Sequence, residues 1–182
     1  MEFRFHGRGG QGVVTASQLL VNSAFKMGFQ GQSIPMFGAE RRGAPVEAYA
    51  RISDTNIRRH SQVYSPDFVS VFDPKLLQVV NVVKGLKPNG TIILNSPNPP
   101  DKFTFNGFRV YTLDASGIAI KLGLYFAGFP AVNTAMVAAI AKATKILSLD
   151  SILSSIRDLW SGRIGELNVE AAKLAYDSIV GD

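Results

Sequence analysis

The chain has 182 residues, 46% of them hydrophobic and 18% charged, enough length for a substantial core and too apolar for disorder. It contains no cysteine, which excludes disulfides, thiolate-held iron–sulfur clusters and cysteine zinc sites from its own residues. The net charge of +5 is uneven: residues 1–60 hold eight Lys/Arg against four Asp/Glu, and residues 61–182 hold eleven against ten. A positive excess in the first third suits an anionic small ligand or an acidic partner. No basic run interleaves with aromatics, so nucleic acid is not expected.

Glu2 to His6 alternates apolar and charged residues and reads as a strand. Met1 leads straight into it, with no secretory signal pattern, and a cytoplasmic location is expected. Four glycines follow within six residues, in Gly7-Arg8-Gly9-Gly10-Gln11-Gly12. Val13, Ala16, Leu19, Leu20, Ala24 and Met27 then mark one helical face, with Gly28 as the stop. Strand, glycine loop and helix start form a cradle for a phosphate or pyrophosphate, because glycine removes the Cβ and the helix start offers unpaired N–H groups. Arg8 can pair a phosphate bidentately, Gln11 can donate an amide, and Thr15 can offer a hydroxyl from the first helical turn. The plain alternative is a tight turn that lets strand and helix pack closely.

Phe29 to Ile34 is a second strand, closed by Pro35. Val46, Ala48, Ala50 and Ile52 alternate with polar residues as a half-buried strand, and Ile57 to Val63, with His60 on its surface, is placed as its hairpin partner. Phe68 to Phe72 is a short strand, and Asp73-Pro74 opens a helix reaching about Val83. Thr91 to Leu94 and Phe108 to Leu113 are strands, and Asp114 caps a helix to Leu122. Ile118 to Ile140 is the fattiest stretch, but Lys121, Gly123, Gly128, Pro130 and Asn133 interrupt it, so no membrane span is expected. Tyr125, Phe126 and Phe129 fall in a break and are either buried or an exposed interface loop. Asn133 to Leu147 and Ser151 to Trp160 are helices, and Val169 to Ile179 is a last one capped by Asn168. Trp160 is placed in the core or at a subunit interface. The fold expected is α/β: a single layered domain over residues 1–182, with a mostly parallel or mixed sheet flanked by helices.

Gly7-x-Gly9-x-x-Gly12 also matches the dinucleotide fingerprint, so a stand-alone NAD(P)- or flavin-binding oxidoreductase domain is one reading. That reading wants an acidic residue at the end of the second strand, and Phe29 to Pro35 has none. His6 is expected to be a hydrogen-bonded structural residue. Two histidines far apart make no metal site, and no catalytic set is expected on this chain.

With its flanks, the loop resembles the γ subunit of 2-oxoacid:ferredoxin oxidoreductases, most closely the pyruvate type. Gly7 to Gly12 with Thr15-Ala16 carry the resemblance, together with Phe37-Gly38-Ala39-Glu40-Arg41-Arg42-Gly43-Ala44-Pro45-Val46, Arg51-Ile52-Ser53 and Pro130 to Met136. Ala39 departs from the proline expected in many relatives. The resemblance implies a part in converting a 2-oxoacid and coenzyme A to acyl-CoA and CO2 with reduction of ferredoxin, by a chain inactive alone. It implies α, β and δ partner subunits that carry thiamine diphosphate, magnesium and the iron–sulfur clusters. The glycine loop (Gly7, Arg8, Gly9, Gly10, Gln11, Gly12 and Thr15) would then meet the coenzyme A phosphates. Arg41 or Arg42 would reach a phosphate or a partner subunit, and Asn133 would cap its helix, face the ligand, or both. A pure assembly role, with the loop vestigial, is the remaining reading.

Overall fold

The computed structural model describes residues 1–36, 42–59 and 61–181. Strand β1 (Glu2–Arg8) is central, and its pleat divides the molecule. Phe3 and Phe5 point to one face and Arg4 and His6 to the other, as a period of two requires. The parallel strands β4 (Phe68–Val71), β5 (Thr91–Asn95) and β6 (Arg109–Leu113) extend from one side of β1. On its other side β3 (Pro45–Ser53) runs antiparallel, with Phe5 opposite Ala48. Strand β2 (Gln30–Pro35) lies outside β3, and β9 (Val180–Gly181) closes the far edge against β6. The seven-stranded sheet, ordered β2-β3-β1-β4-β5-β6-β9, is therefore mixed.

Helix α1 (Val13–Lys26) covers β1 to β3 with Val13, Ala16, Leu19, Leu20 and Ala24, and ends where Gly28 takes φ 81°. Helices α2 (Ala115–Lys121), α3 (Asn133–Thr144), α4 (Leu149–Leu159) and α5 (Gly162–Ser178) contribute to the same core. Every α3 residue from Thr134 to Ala141 is buried, and its alanines allow neighbouring helices to approach closely. The opposite sheet face carries a smaller core, in which Val69, Val71, Ile92 and Leu94 meet Leu76, Val82 and Leu86.

The elements expected from periodicity are present, and the departures have local causes. The expected hairpin over Ile57 to Val63 does not form a ladder among its described residues; His60 lies outside them. Both edges of β3 are already taken by β1 and β2. Instead, the Arg51 guanidinium straps this segment across the sheet, donating to the carbonyls of Ser61 at 2.6 Å and Gln62 at 3.1 Å while its Nε meets Glu2 at 2.8 Å. The helix expected to reach Val83 is a 3-10 turn over Pro74–Gln78, with Asp73 accepting from the Lys75 N–H at 2.9 Å. Beyond it, the carbonyls of Val82 and Lys84 accept from Arg4, which holds that stretch off a helical path. Asp114 caps α2 as expected, accepting from the Gly117 N–H at 2.8 Å. Asn168 is no cap: α5 begins at Gly162 and buries Asn168 inside it. Among the described residues, no helix is long and apolar enough to cross a membrane.

Candidate functional site

After Arg8 the chain turns through Gly9 to Gly12 into α1. Gly9 prolongs the pairing of β1 with β3: its N–H donates to Ala44 at 2.9 Å and its carbonyl accepts from Gly43 at 3.1 Å. Gly10 and Gly12 take φ 99° and 74°, left-handed conformations that glycine alone adopts without strain. Gly12 is the N-cap of α1, makes no side-chain cap, and no acidic residue sits in the first turn. The first N–H groups of α1 therefore face outward with the positive end of the helix dipole behind them. Gly7 has another role: a Cβ there would lie 2.3 Å from Val13 Cγ2, so it lets strand and helix touch.

The cradle forms one wall of a cavity of about 380 Å³. Gly10, Gln11, Gly12 and Thr15 line that wall. The facing wall is apolar: Tyr125 and Phe126 from a small hairpin of β7 (Tyr125–Phe126) and β8 (Phe129–Pro130), Leu124 just before it, Leu159 at the end of α4 with Trp160 following, and Ile164 of α5. Asn133 and Asn168 add two amides. Asn168 is only 4% exposed; its Oδ1 accepts from Thr134 at 3.0 Å and its Nδ2 donates to Ile164 at 2.9 Å, tying α5 to α3. No described lining residue carries a charge, so an anion here would meet main-chain N–H groups, amides and helix dipoles.

The expected site residues divide. Gly10, Gln11, Gly12, Thr15 and Asn133 converge on the cavity. The N-cap of α3 is Val132, so Asn133 does not cap its helix as expected. It stands first in the helix, its Oδ1 accepts from the Thr134 N–H at 3.0 Å, and its Nδ2 lies 3.0 Å from where a Cβ on Gly12 would be. Gln11 Oε1 accepts from the Arg8 N–H at 2.8 Å, stapling the loop. Arg8 is turned away from the cavity: its Nε meets Asp73 at 2.5 Å and its Nη1 donates to the Gly43 carbonyl at 3.0 Å. Arg42 reaches the loop indirectly, with its guanidinium 5.7 Å above the Phe129 ring, which packs against Gly10. Arg41 and the rest of Phe37 to Arg41 lie outside the described residues.

The strand order also separates this loop from the dinucleotide fold. There the strand after the first helix lies beside the first strand and presents the ribose-binding acid. Here β3 stands between β1 and β2, and β2 has no acidic residue. On the face away from α1, a polar cluster sits behind β1. His6, 2% exposed, lies 3.3 Å from Glu47, and the Tyr49 hydroxyl donates to Glu47 at 2.6 Å. Burial holds His6 down at about 4 although the Glu47 carboxylate opposes it. Burial, with the Glu47 hydrogen bond, raises Tyr49. Among the described residues, no group of three or more His, Cys, Asp or Glu could hold a metal.

A seven-stranded mixed α/β domain, with a glycine loop opening a helix start onto a half-apolar cavity, is the class these features define. The chain matches the family described as Pyruvate ferredoxin/flavodoxin oxidoreductase over residues 2–178. It is 47% identical over 179 residues to the pyruvate synthase subunit PorC of Methanothermobacter thermautotrophicus, covering 98% of this chain and 96% of that one. It is 44% identical over 184 residues to the Pyruvate/ketoisovalerate oxidoreductases common subunit gamma of Thermococcus kodakarensis, covering 99% and 97%. The crystal structure of the pyruvate oxidoreductase subunit PORC from Thermotoga maritima superposes with a TM-score of 0.84 at 32% identity, covering 100% of this chain and 98% of that one. The same fold forms part of a longer chain, the 2-oxoglutarate:ferredoxin oxidoreductase of Magnetococcus marinus solved with 2-oxoglutarate, coenzyme A and succinyl-CoA, at TM-score 0.79 and 17% identity over 100% of this chain and 32% of that one. The chain belongs to the pyruvate ferredoxin/flavodoxin oxidoreductase family, as the gamma subunit of a pyruvate/2-oxoacid:ferredoxin oxidoreductase. It therefore works with partner subunits.

Proposed function

We propose that this chain, acting as one domain, holds the phosphate-bearing part of coenzyme A against its glycine loop. The observation that carries this reading is the start of α1. Two left-handed glycines strip side chains from it, no cap fills it, and it opens into a cavity beside the Asn133 amide. Main-chain N–H groups fixed in this way bind a diphosphate without a charged side chain. A volume of about 380 Å³ is at the small end of ligand clefts, which run from roughly 300 to 1,000 Å³, so it takes part of the coenzyme and leaves the rest to extend outward.

The partners in this reading are α, β and δ subunits in the cytoplasm. Thiamine diphosphate, magnesium and iron–sulfur clusters on those subunits supply the decarboxylation and electron-transfer chemistry, with pyruvate as the 2-oxoacid and ferredoxin as the acceptor. The absence of cysteine from this chain accords with clusters held elsewhere. This chain's own share is to bind and orient. The loop and helix start fix the phosphates, Asn133 adds a donor, and the apolar wall excludes water from the enclosed part.

Thr15→Phe tests the proposal by filling the cavity from the first turn of α1. In the assembled complex the KM for coenzyme A should rise by about tenfold or more, equivalent to ~1.4 kcal/mol, with the KM for pyruvate unchanged. A variant complex that assembles and keeps the parent KM for coenzyme A would leave an assembly role as the better reading.

A further inference from the structure

The apolar wall contains more exposed surface than a phosphate site requires. Tyr125, Phe126, Leu159 and Ile164 are 58%, 65%, 43% and 53% exposed, and all four border this one cavity. We propose that the β7–β8 hairpin is a stacking platform for the purine base of coenzyme A, with Phe126 as the principal contact. The inference rests on the reading that the glycine loop takes the diphosphate of the same molecule.

The hairpin is built to hold Phe126 in place. Its two turn residues, Ala127 and Gly128, take φ 49° and 79°, the paired positive values of a tight two-residue turn. Phe126 pairs across the hairpin with Phe129, so the two share a face. Phe129 is clamped between Gly10 and the Arg42 guanidinium. The base of the hairpin is pinned where Leu124 donates to Ala119 at 2.8 Å and Ala131 donates to Leu124 at 3.0 Å. Phe126 thus stands one cross-strand step from a ring that touches the phosphate loop. A purine stands one sugar away from its phosphate. Tyr125 and Trp160 supply further aromatic side chains on the same wall. A flat neutral base gains from such rings, whereas the flexible arm of the coenzyme offers only small, separate amide planes to match them.

Three probes applied to the assembled complex separate the halves of the ligand: coenzyme A, 4′-phosphopantetheine (which lacks the base) and adenosine 3′,5′-bisphosphate as an inhibitor. Phe126 is exposed, so Phe126→Ala leaves the core intact. It should raise the KM for coenzyme A and the Ki for adenosine 3′,5′-bisphosphate by about tenfold, leave 4′-phosphopantetheine kinetics unchanged, and be rescued by Phe126→Trp. Equal weakening of coenzyme A and 4′-phosphopantetheine, or no change in either, overturns the platform. So does a Phe126→Ala subunit that no longer co-elutes with its partners, which would make the hairpin a subunit contact. Thr15→Phe reports on the loop independently: the platform can fail while Thr15→Phe still weakens coenzyme A, and the loop reading can fail while the Phe126 effects persist.

Discussion

Asn133→Asp swaps one donor for one negative charge with almost no change of shape. The Oδ1 atom that accepts from the Thr134 N–H at 3.0 Å remains in place. The lost Nδ2 lies 3.0 Å from the point above Gly12 where a Cβ would stand, so an anion on the loop N–H groups falls within about 5 Å of the new carboxylate. Two unit charges at that distance repel by ~3 kcal/mol at an effective dielectric of about 20. Solvent at the mouth of the cavity reduces this, leaving a rise in the KM for coenzyme A of roughly tenfold to a hundredfold, larger at low ionic strength. Stability should move the other way. The carboxylate sits in the first turn of α3 and beside the start of α1, where a negative charge adds ~0.3–1 kcal/mol. For a chain of this size that corresponds to a Tm higher by about 1–4 °C. Steady-state kinetics of the assembled complex and calorimetry of the subunit read the two effects separately. A raised Tm with a coenzyme A KM within twofold of the parent would refute an anion at this loop.

Arg8→Gln should show the opposite pattern. It breaks the pair with Asp73, whose side chains are 26% and 15% exposed, so unfolding free energy falls by about 1–3 kcal/mol in urea titration while the coenzyme A KM stays within twofold. His6 sets a pH dependence. It is held near 4 in the fold against 6.5 for an unperturbed histidine, so between those values the unfolded chain binds the proton and the folded chain does not. Stability contributed above pH 6.5 is thus lost as pH falls toward 4, by about 3 kcal/mol in total. Tm measured across that range should fall with pH in the parent and fall less steeply in His6→Gln; parallel profiles would show that His6 does not titrate in this way.

The polar wall of the cavity was legible because it is local: Gly10, Gln11, Gly12 and Thr15 span six positions. The facing wall was not. Leu159, Trp160, Ile164 and Asn168 lie some 150 residues away in sequence, brought there by α5 packing on α3 through the Asn168–Thr134 hydrogen bond. The first turns of α5 hide this, since Asn168 reads as a start although the helix begins at Gly162. Burial of Val169, Ala171, Ala172 and Ala175 overrides that local signal. The hairpin expected over Ile57 to Val63 failed for a related reason: alternation says that a segment can pair, not that an edge is vacant. Arg8 lies outside the cavity lining, and its direction could have been read from the strand. In β1, Phe3, Phe5 and Gly7 face α1, so a period of two sends Arg8 to the other face, toward Asp73.

That alternation also bears on selectivity. Because the one arginine inside the glycine motif faces away, the loop and helix start bring main-chain groups and the uncharged side chains of Gln11 and Thr15 to the cavity, and on the proposed reading these would hold any diphosphate about equally. On that reading, discrimination among nucleotides would come from the rest of the lining, which offers two asparagine amides and an apolar wall that includes Tyr125, Phe126 and Trp160. The asparagines are already partly engaged, Asn133 with Thr134 and Asn168 with both Thr134 and Ile164. On the proposed reading the selective surface is consequently the apolar wall, with the glycine loop serving as a generic anchor beside it.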